Sequence, residues 1–358
     1  MMKFVNKICC IIMIIAMLLP VFSGCAAKKS NDEKLLFNDG LMSVYVDGKW
    51  GFINKDGEIV IKAKYASVTG FSCGLAAVEI DGKFGYINTD GEIVIEPQFD
   101  GAATFSEDIA VVYVDKSYVY INKKGDRLFG RSFEYADNFY EGRALFSENG
   151  KYGFIDRKGK VVIEPQYKAA KGFSDGLAVV MDEESGRCGF IDTKGKLVID
   201  FLYTEASSFK DGIVRMGVDG NVCYIDKKGR MFLRTPLKAD SFSEGYARYT
   251  SDSNLYGFID LMGQKAIDCI YNYAGPFSNG LALVCDGKNK VGYINTSGEY
   301  VIEPQYDLFY SDKKIGFDFS DDGYVIVIKN NKFGVIDKEG NVVLECKYDG
   351  LAGNSLSK

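Results

Sequence analysis

From Met42 onward, short apolar stretches alternate in-and-out with polar residues, and Gly or Asx-Gly turn signals punctuate them every few residues. "LAAVEI", "KFGYI" and "EIVIEP" each place apolar side chains at every second position, the period of a strand with one buried face. "DGK" and "NGK" between such runs are two-residue hairpin signals. "NKDG", "NTDG" and "DRKG" pair a capping Asx with a glycine suited to positive φ, the chemistry of a type I turn with a G1 bulge. No stretch in this region carries the 3.6-residue period of an amphipathic helix. The pattern predicts an all-β chain.

The same pattern recurs. "GKWGFINKDGEIVI" (48–61) returns 34 residues later as "GKFGYINTDGEIVI", and the column of Gly51 recurs at 85, 119, 153, 189, 223, 257, 292 and 334. Nine copies of roughly 34 residues therefore fill the chain from about residue 35 to 358. Ile stands two positions after that column in all nine copies, Asn or Asp follows it, and Gly stands three residues beyond. Each unit reads as a three-stranded antiparallel meander followed by a linker of the form Tyr-x-x-Ala-x-x-Phe-Ser-x-Gly. Units of this size with three clear strands predict an open superhelical array. A closed β-propeller is the alternative, should the linker supply a fourth strand.

Trp50, the only tryptophan, shares its column with Phe84, Tyr118, Tyr152, Cys188, Val222, Tyr256, Val291 and Phe333. That spread suits packing, not recognition of a ligand. A glycine fixed in a strand marks close approach by something bulky. For Gly51, Gly85, Gly153, Gly189, Gly257, Gly292 and Gly334 a linker aromatic from an adjacent unit is the expected neighbour. Val119 and Cys223 depart from the column, as Cys269 and Cys346 depart from the proline of "IEP".

The first residues change the picture of where the chain resides. Lys3 and Lys7 precede an apolar run of about a dozen residues, too short to span a bilayer and typical of a secretory signal. The run ends in Phe22-Ser23-Gly24-Cys25, which resembles the bacterial lipobox with Phe in place of the usual Leu. That resemblance implies cleavage after residue 24, a diacylglyceryl anchor on Cys25, a polar tether over 25–34, and residence on the outer face of a bacterial cytoplasmic membrane. The net charge of −6 becomes −8 on removal of residues 1–24, which hold two lysines and no acid. No basic patch suggests nucleic acid.

Catalytic signals are weak. "GFSCG" (70–74) and "GFSDG" (172–176) match Gly-x-Ser-x-Gly, but the chain has no histidine to act as base, and both are copies of the repeat linker. Cys73, Cys188, Cys223, Cys269, Cys285 and Cys346 form no C-x-x-C pair, so neither a zinc site nor another metal centre is expected. Acids ahead of the proline column, such as Glu96 and Glu164, read as solvated strand ends. No phosphate loop or dinucleotide fingerprint is present, and no cofactor is expected.

The units resemble the WG (KWG) β-repeats of bacterial secreted and surface proteins, with "KWGFINKDGEIVI" and "KYGFIDRKGKVVIEPQY" as the nearest copies. The resemblance implies a β-rich, non-catalytic interaction scaffold. Its expected partner is another envelope protein or a cell-wall glycan; a carboxylate-dependent glycan-active enzyme and a structural spacer are the alternatives. Specificity is expected where one unit differs from its siblings. The longest spacing, 42 residues before Gly334, makes the linker 306–323 the candidate binding loop, through Phe309, Tyr310, Lys313, Lys314 and Phe317.

Overall fold

The computed structural model describes residues 35–352, 354 and 355, apart from 219, 236, 286, 309, 312, 313 and 316. The predicted signal, Cys25 and the tether lie outside the described residues. Among the described residues every element is a β-strand, and each repeat unit forms its own antiparallel sheet. In unit one, Met42–Val46 pairs with Lys49–Ile53, which pairs with Ile59–Tyr65. The predicted turns are present. Asp47 and Gly48 both have positive φ (50° and 80°), the signature of a type I′ hairpin. Asn54 Oδ1 accepts from the amides of Asp56 and Glu58 at 3.1 and 2.9 Å, and Gly57 takes φ 80°. The equivalent Asx residue makes the same pair of bonds in every later unit, for example Asp192 to Lys194 and Lys196.

The linker does not lie across a sheet face. It joins the following unit as a further strand: Tyr135–Tyr140 pairs with Arg143–Glu148, and Ala169–Ala170 pairs with Leu177–Met181. Five of the units thereby become sheets in the order linker, first, second and third strand, such as the sheet from Tyr135–Tyr140 to Val161–Tyr167. Four strands make the unit a propeller blade.

The nine units close into a ring among the described residues, five of them as four-stranded blades, and the expectation of an open array is corrected in favour of its propeller alternative. Gly350–Leu351, after the last unit's third strand, pairs with the first strand of unit one (Val44 opposite Leu351, Tyr45 opposite Gly350). The amide of Ala352 donates to Ser43 O at 2.9 Å. The carboxylate of Asp322 in unit nine accepts from the amides of Leu36 and Phe37 at 3.0 and 3.2 Å. One apolar cluster joins Val44 and Ile53 to Ile326, Phe333, Leu344 and Leu351. The physical reason is that the chain's end supplies the fourth strand that blade one lacks, so no edge is left open there.

Neighbouring blades meet by a repeated contact. A Cβ placed on Gly91 would lie 3.2 Å from the Ile61 side chain of the preceding unit, and on Gly340 3.3 Å from Ile302. Gly57 meets Leu344 across the seam in the same way, at 3.4 Å. On the same face, Ser72 Oγ donates to Phe105 O at 2.7 Å and Ser174 Oγ to Phe209 O at 2.7 Å. Glu141 accepts from the amide of Gly176, and Asp175 from that of Gly212.

The repeat glycine has a different neighbour from the one the sequence suggests. A Cβ on Gly153 would sit 2.5 Å from Ile163 O and 2.8 Å from Pro165 N, backbone atoms of its own unit's third strand. That strand bulges: Phe154 faces Ile163, yet Tyr152 faces Tyr167, so extra residues loop over the glycine. The exceptions explain themselves. In unit six, Val222, Cys223 and Tyr224 face Thr235, Arg234 and Leu233 without a break, leaving room for Cys223. In unit three, the strand of Val119 has only isolated bridges to Phe133 and Arg127. Trp50 is half-buried opposite Tyr65, its ring centroid 5.0 Å from that of Tyr45.

The Asx turns carry a pH dependence. The amide of Lys196 holds the Asp192 carboxyl below its usual range, and the Arg230 side chain does the same for Asp226. Carboxyls depressed in the folded state stabilise it above their unfolded value of about 4, and that contribution is lost as pH falls through the folded values. The double variant Asp192→Asn/Asp226→Asn keeps the cap, as Asn54 does, but cannot titrate. Wild type is therefore expected to lose more of its melting temperature than the variant between pH 6 and pH 3. Parallel melting curves over that range would remove this linkage.

Candidate functional site

If the repeat columns are structural, chemistry belongs where a column is broken. The first strand of each unit has a residue next to the glycine's partner: Ser43, Ala77, Val111, Leu145, Val179, Leu283 and Ile326 in seven units. Units six and seven, which are neighbours, carry Arg215 and Arg248 there. Each arginine reaches toward the following blade's linker strand. Arg215 Nε donates to Ala239 O at 2.8 Å, and Arg248 Nη1 donates to Ala274 O. Each also pairs with an acid of its own blade: Arg215 with Glu205 at 3.0 Å, and Arg248 through Nε with Asp240 at 2.6 Å.

A groove of about 460 Å³ lies between these blades, lined by both arginines, Glu205, Asp240, Lys238, Asn221, Thr204, Thr250 and Tyr256. It opens toward the ends of the strands that carry the tight hairpins, such as Val218 and Asn221. The guanidinium of Arg248 stacks 5.2 Å from the ring of Tyr256 and 5.5 Å from that of Tyr273. Burial weakens the charge of Arg248, but Asp240 beside it more than restores it, and its pKa rises. Burial likewise pushes the Tyr273 hydroxyl up, so it stays a neutral donor. The acids are half-exposed or more, which limits each ion pair to about 0.2–1 kcal/mol. Their main effect is to fix planar, multidentate groups around a wet groove.

The sequence did not single out this groove. The signal in the sequence is two charged residues in an otherwise uncharged first-strand column, a column that carries neither the glycine nor the turn residues that mark the repeat. The predicted loop fares differently. Phe309 and Lys313 lie outside the described residues, and Tyr310 and Lys314 belong to a two-stranded hairpin, Tyr310–Ser311 with Lys314–Ile315. Phe317 is half-buried, its ring 6.3 Å from that of Phe333, and its carbonyl accepts from the Tyr293 hydroxyl at 3.2 Å. Ser72 and Ser174 are spent on the blade-to-blade bonds described above. Wild type is expected to resist a fluorophosphonate probe as fully as a Ser72→Ala/Ser174→Ala variant does; labelling of either serine in wild type would refute this. The six cysteines from Cys73 to Cys346 are free thiols, and no metal-holding cluster exists among the described residues.

The WG containing repeat matches residues 50–84, 84–118, 120–152, 152–184, 189–221, 256–289, 292–333 and 333–355. The chain belongs to the WG-repeat family. The unmatched interval, 222–255, falls on the unit whose glycine is Cys223 and whose third strand has no bulge over it. No curated protein matches the chain. Among solved structures, a eukaryotic initiation factor superposes with a TM-score of 0.61 at 10% identity, over 87% of this WG-repeat chain and 96% of that one. This likeness shows the fold alone. The computationally designed Ika8 protein (TM-score 0.40, 13% identity, 77% and 95% covered) and BamB from Moraxella catarrhalis (0.38, 11%, 83% and 93%) are more remote.

Proposed function

We propose that this WG-repeat protein is a non-catalytic binding scaffold, lipid-anchored through Cys25 to the outer face of a bacterial cytoplasmic membrane, whose groove between blades six and seven holds a cell-wall glycan. The observation that carries the reading is the pair of arginines, Arg215 and Arg248, set into an otherwise uncharged column of adjacent blades. Hydroxyl-rich ligands are recognised by planar groups that donate or accept two hydrogen bonds at once, together with an aromatic ring. Arginine, carboxylate, amide and Tyr256 supply that set here. The chain's lack of histidine and of a metal-holding cluster among the described residues supports binding over turnover.

The test is calorimetry of the soluble chain from residue 26 with purified cell-wall glycan fragments. Hydrogen bonds to a charged group contribute about 1.5–3 kcal/mol, so Arg248→Met is expected to weaken binding by roughly 10- to 100-fold. Melting should shift by only a few degrees. Equal affinity in the variant, or no affinity in wild type, would overturn the glycan reading. The anchor has its own test: Cys25→Ala should abolish labelling by a radioactive fatty acid, and continued labelling would refute it.

A further inference from the structure

The two ends of the strands are chemically unlike, and one of them suits a lipid surface. Tight hairpins and the groove occupy one face of the ring; the Asx-Gly turns and the Phe-Ser-x-Gly turns occupy the other. Charge is segregated along the Asx-Gly turns. Those of units three to six (122–126, 156–160, 192–196 and 226–230) hold ten Lys or Arg and four acids. The five remaining turns hold two Lys and eight acids. Some of the arc is locally neutralised, as Arg157 pairs with Glu107, Lys123 with Asp108, and Arg230 with Asp226. Lys194, Lys196 and Lys228 stand exposed.

Apolar side chains follow directly at the start of the exposed third strands. Leu197 is 38%, Met231 46% and Phe232 44% exposed, and Met262, at the tip of the next turn, is 77% exposed. Basic and apolar groups interleaved on one surface match the chemistry of an anionic bilayer interface. The chain itself says which surface lies there. It enters the described structure on this same face: Leu36 and Phe37 bond to Asp322 in unit nine's Phe-Ser turn, and Lys55 of the first Asx turn lies over the Phe37 ring at 5.5 Å. Ten residues, 26–35, lie between Cys25 and Leu36. Fully extended such a tether reaches at most about 35 Å, so an anchor on Cys25 would hold the face at which the chain enters close to the bilayer.

We infer that the Asx-turn arc of units three to six, with Leu197, Met231, Phe232 and Met262, docks on anionic phospholipid and turns the groove outward. The docking rests on the lipid-anchor reading for its orientation, but its chemistry is testable without the anchor. The chain from residue 26 retains every residue of the closed ring and lacks Cys25, so any lipid binding it shows is independent of acylation. It is mixed with vesicles of phosphatidylcholine alone or of equal parts phosphatidylcholine and phosphatidylglycerol, then sedimented.

Expected is capture by the anionic vesicles only, lost at 0.5 M salt or thereabouts, since exposed charges are screened within a few ångströms there. Lys194→Glu/Lys196→Glu/Lys228→Glu should reduce capture at least tenfold. Lys49→Glu/Lys151→Glu/Lys168→Glu, the same charge change at the hairpin ends of the strands, should leave it within twofold. Circular dichroism of both variants confirms folding. No capture, equal capture by both vesicles, or equal losses in both variants would overturn the arc. Failure of Cys25 labelling with capture intact would remove the anchor and leave the arc standing.

Discussion

Gly153→Val should cost the ring about 2–4 kcal/mol and lower its melting temperature by several degrees, whereas Cys223→Gly, the reverse change in the same column, should cost about 1 kcal/mol. The first figure follows from backbone, which cannot swing aside: a Cβ on Gly153 meets Ile163 O at 2.5 Å and Pro165 N at 2.8 Å. Relief requires the bulge of the third strand to straighten, which moves Tyr167 out of its pairing with Tyr152. The second figure is only the loss of a small buried side chain plus the backbone freedom of glycine, because unit six has no bulge over Cys223. Urea melts of the two variants decide it. Equal costs would mean that the glycine is not a seat for the bulge, and the explanation of the repeat glycine would fail.

Removal of the closing strand should have the second large effect. A chain ending at Tyr348 loses the pairing of Val44 with Leu351 and exposes the cluster of Val44, Ile53 and Phe333 that Leu351 completes. Loss of one large buried apolar side chain costs about 2–5 kcal/mol, and the opened seam adds the unpaired edge of Met42–Val46. Because every blade touches both neighbours, melting of the whole truncated chain should shift downward by roughly 5 °C or more, as one transition. Leu351→Asp in the full-length chain should reproduce most of that shift. An array whose units depend only on local neighbours would instead show a small loss confined to one end.

Much of this was legible beforehand because the local chemistry is stereotyped. The Asx at 54 and glycine at 57 can do little else than form a capped turn, whereas the apolar alternation of "EIVIEP" points to a strand but not to its buried side: Ile95 is buried while Ile93 and Val94 are exposed. Ring closure was less legible because it rests on a contact between residues some 300 apart, Val44 and Leu351, with no local signature. The glycine's role was misread for a related reason. A β-bulge is set by register, and Tyr152 facing Tyr167 is invisible until the strands are paired. The groove was missed because arginine in a strand reads as a solvated residue; only its position among Val179, Leu283 and Ile326 shows that it replaces a buried apolar contact.

Closure of the ring is tested most directly by joining its two ends chemically. Tyr45 and Gly350 face each other across the seam, and facing residues in an antiparallel pair have Cα atoms about 4.5–5.5 Å apart, within disulfide range. The variant Tyr45→Cys/Gly350→Cys should form an intramolecular disulfide on mild oxidation, seen by mass spectrometry as a linked pair of peptides from monomeric protein. If oxidation leaves both thiols free, or links them only between molecules, the ends do not meet and the ring is open.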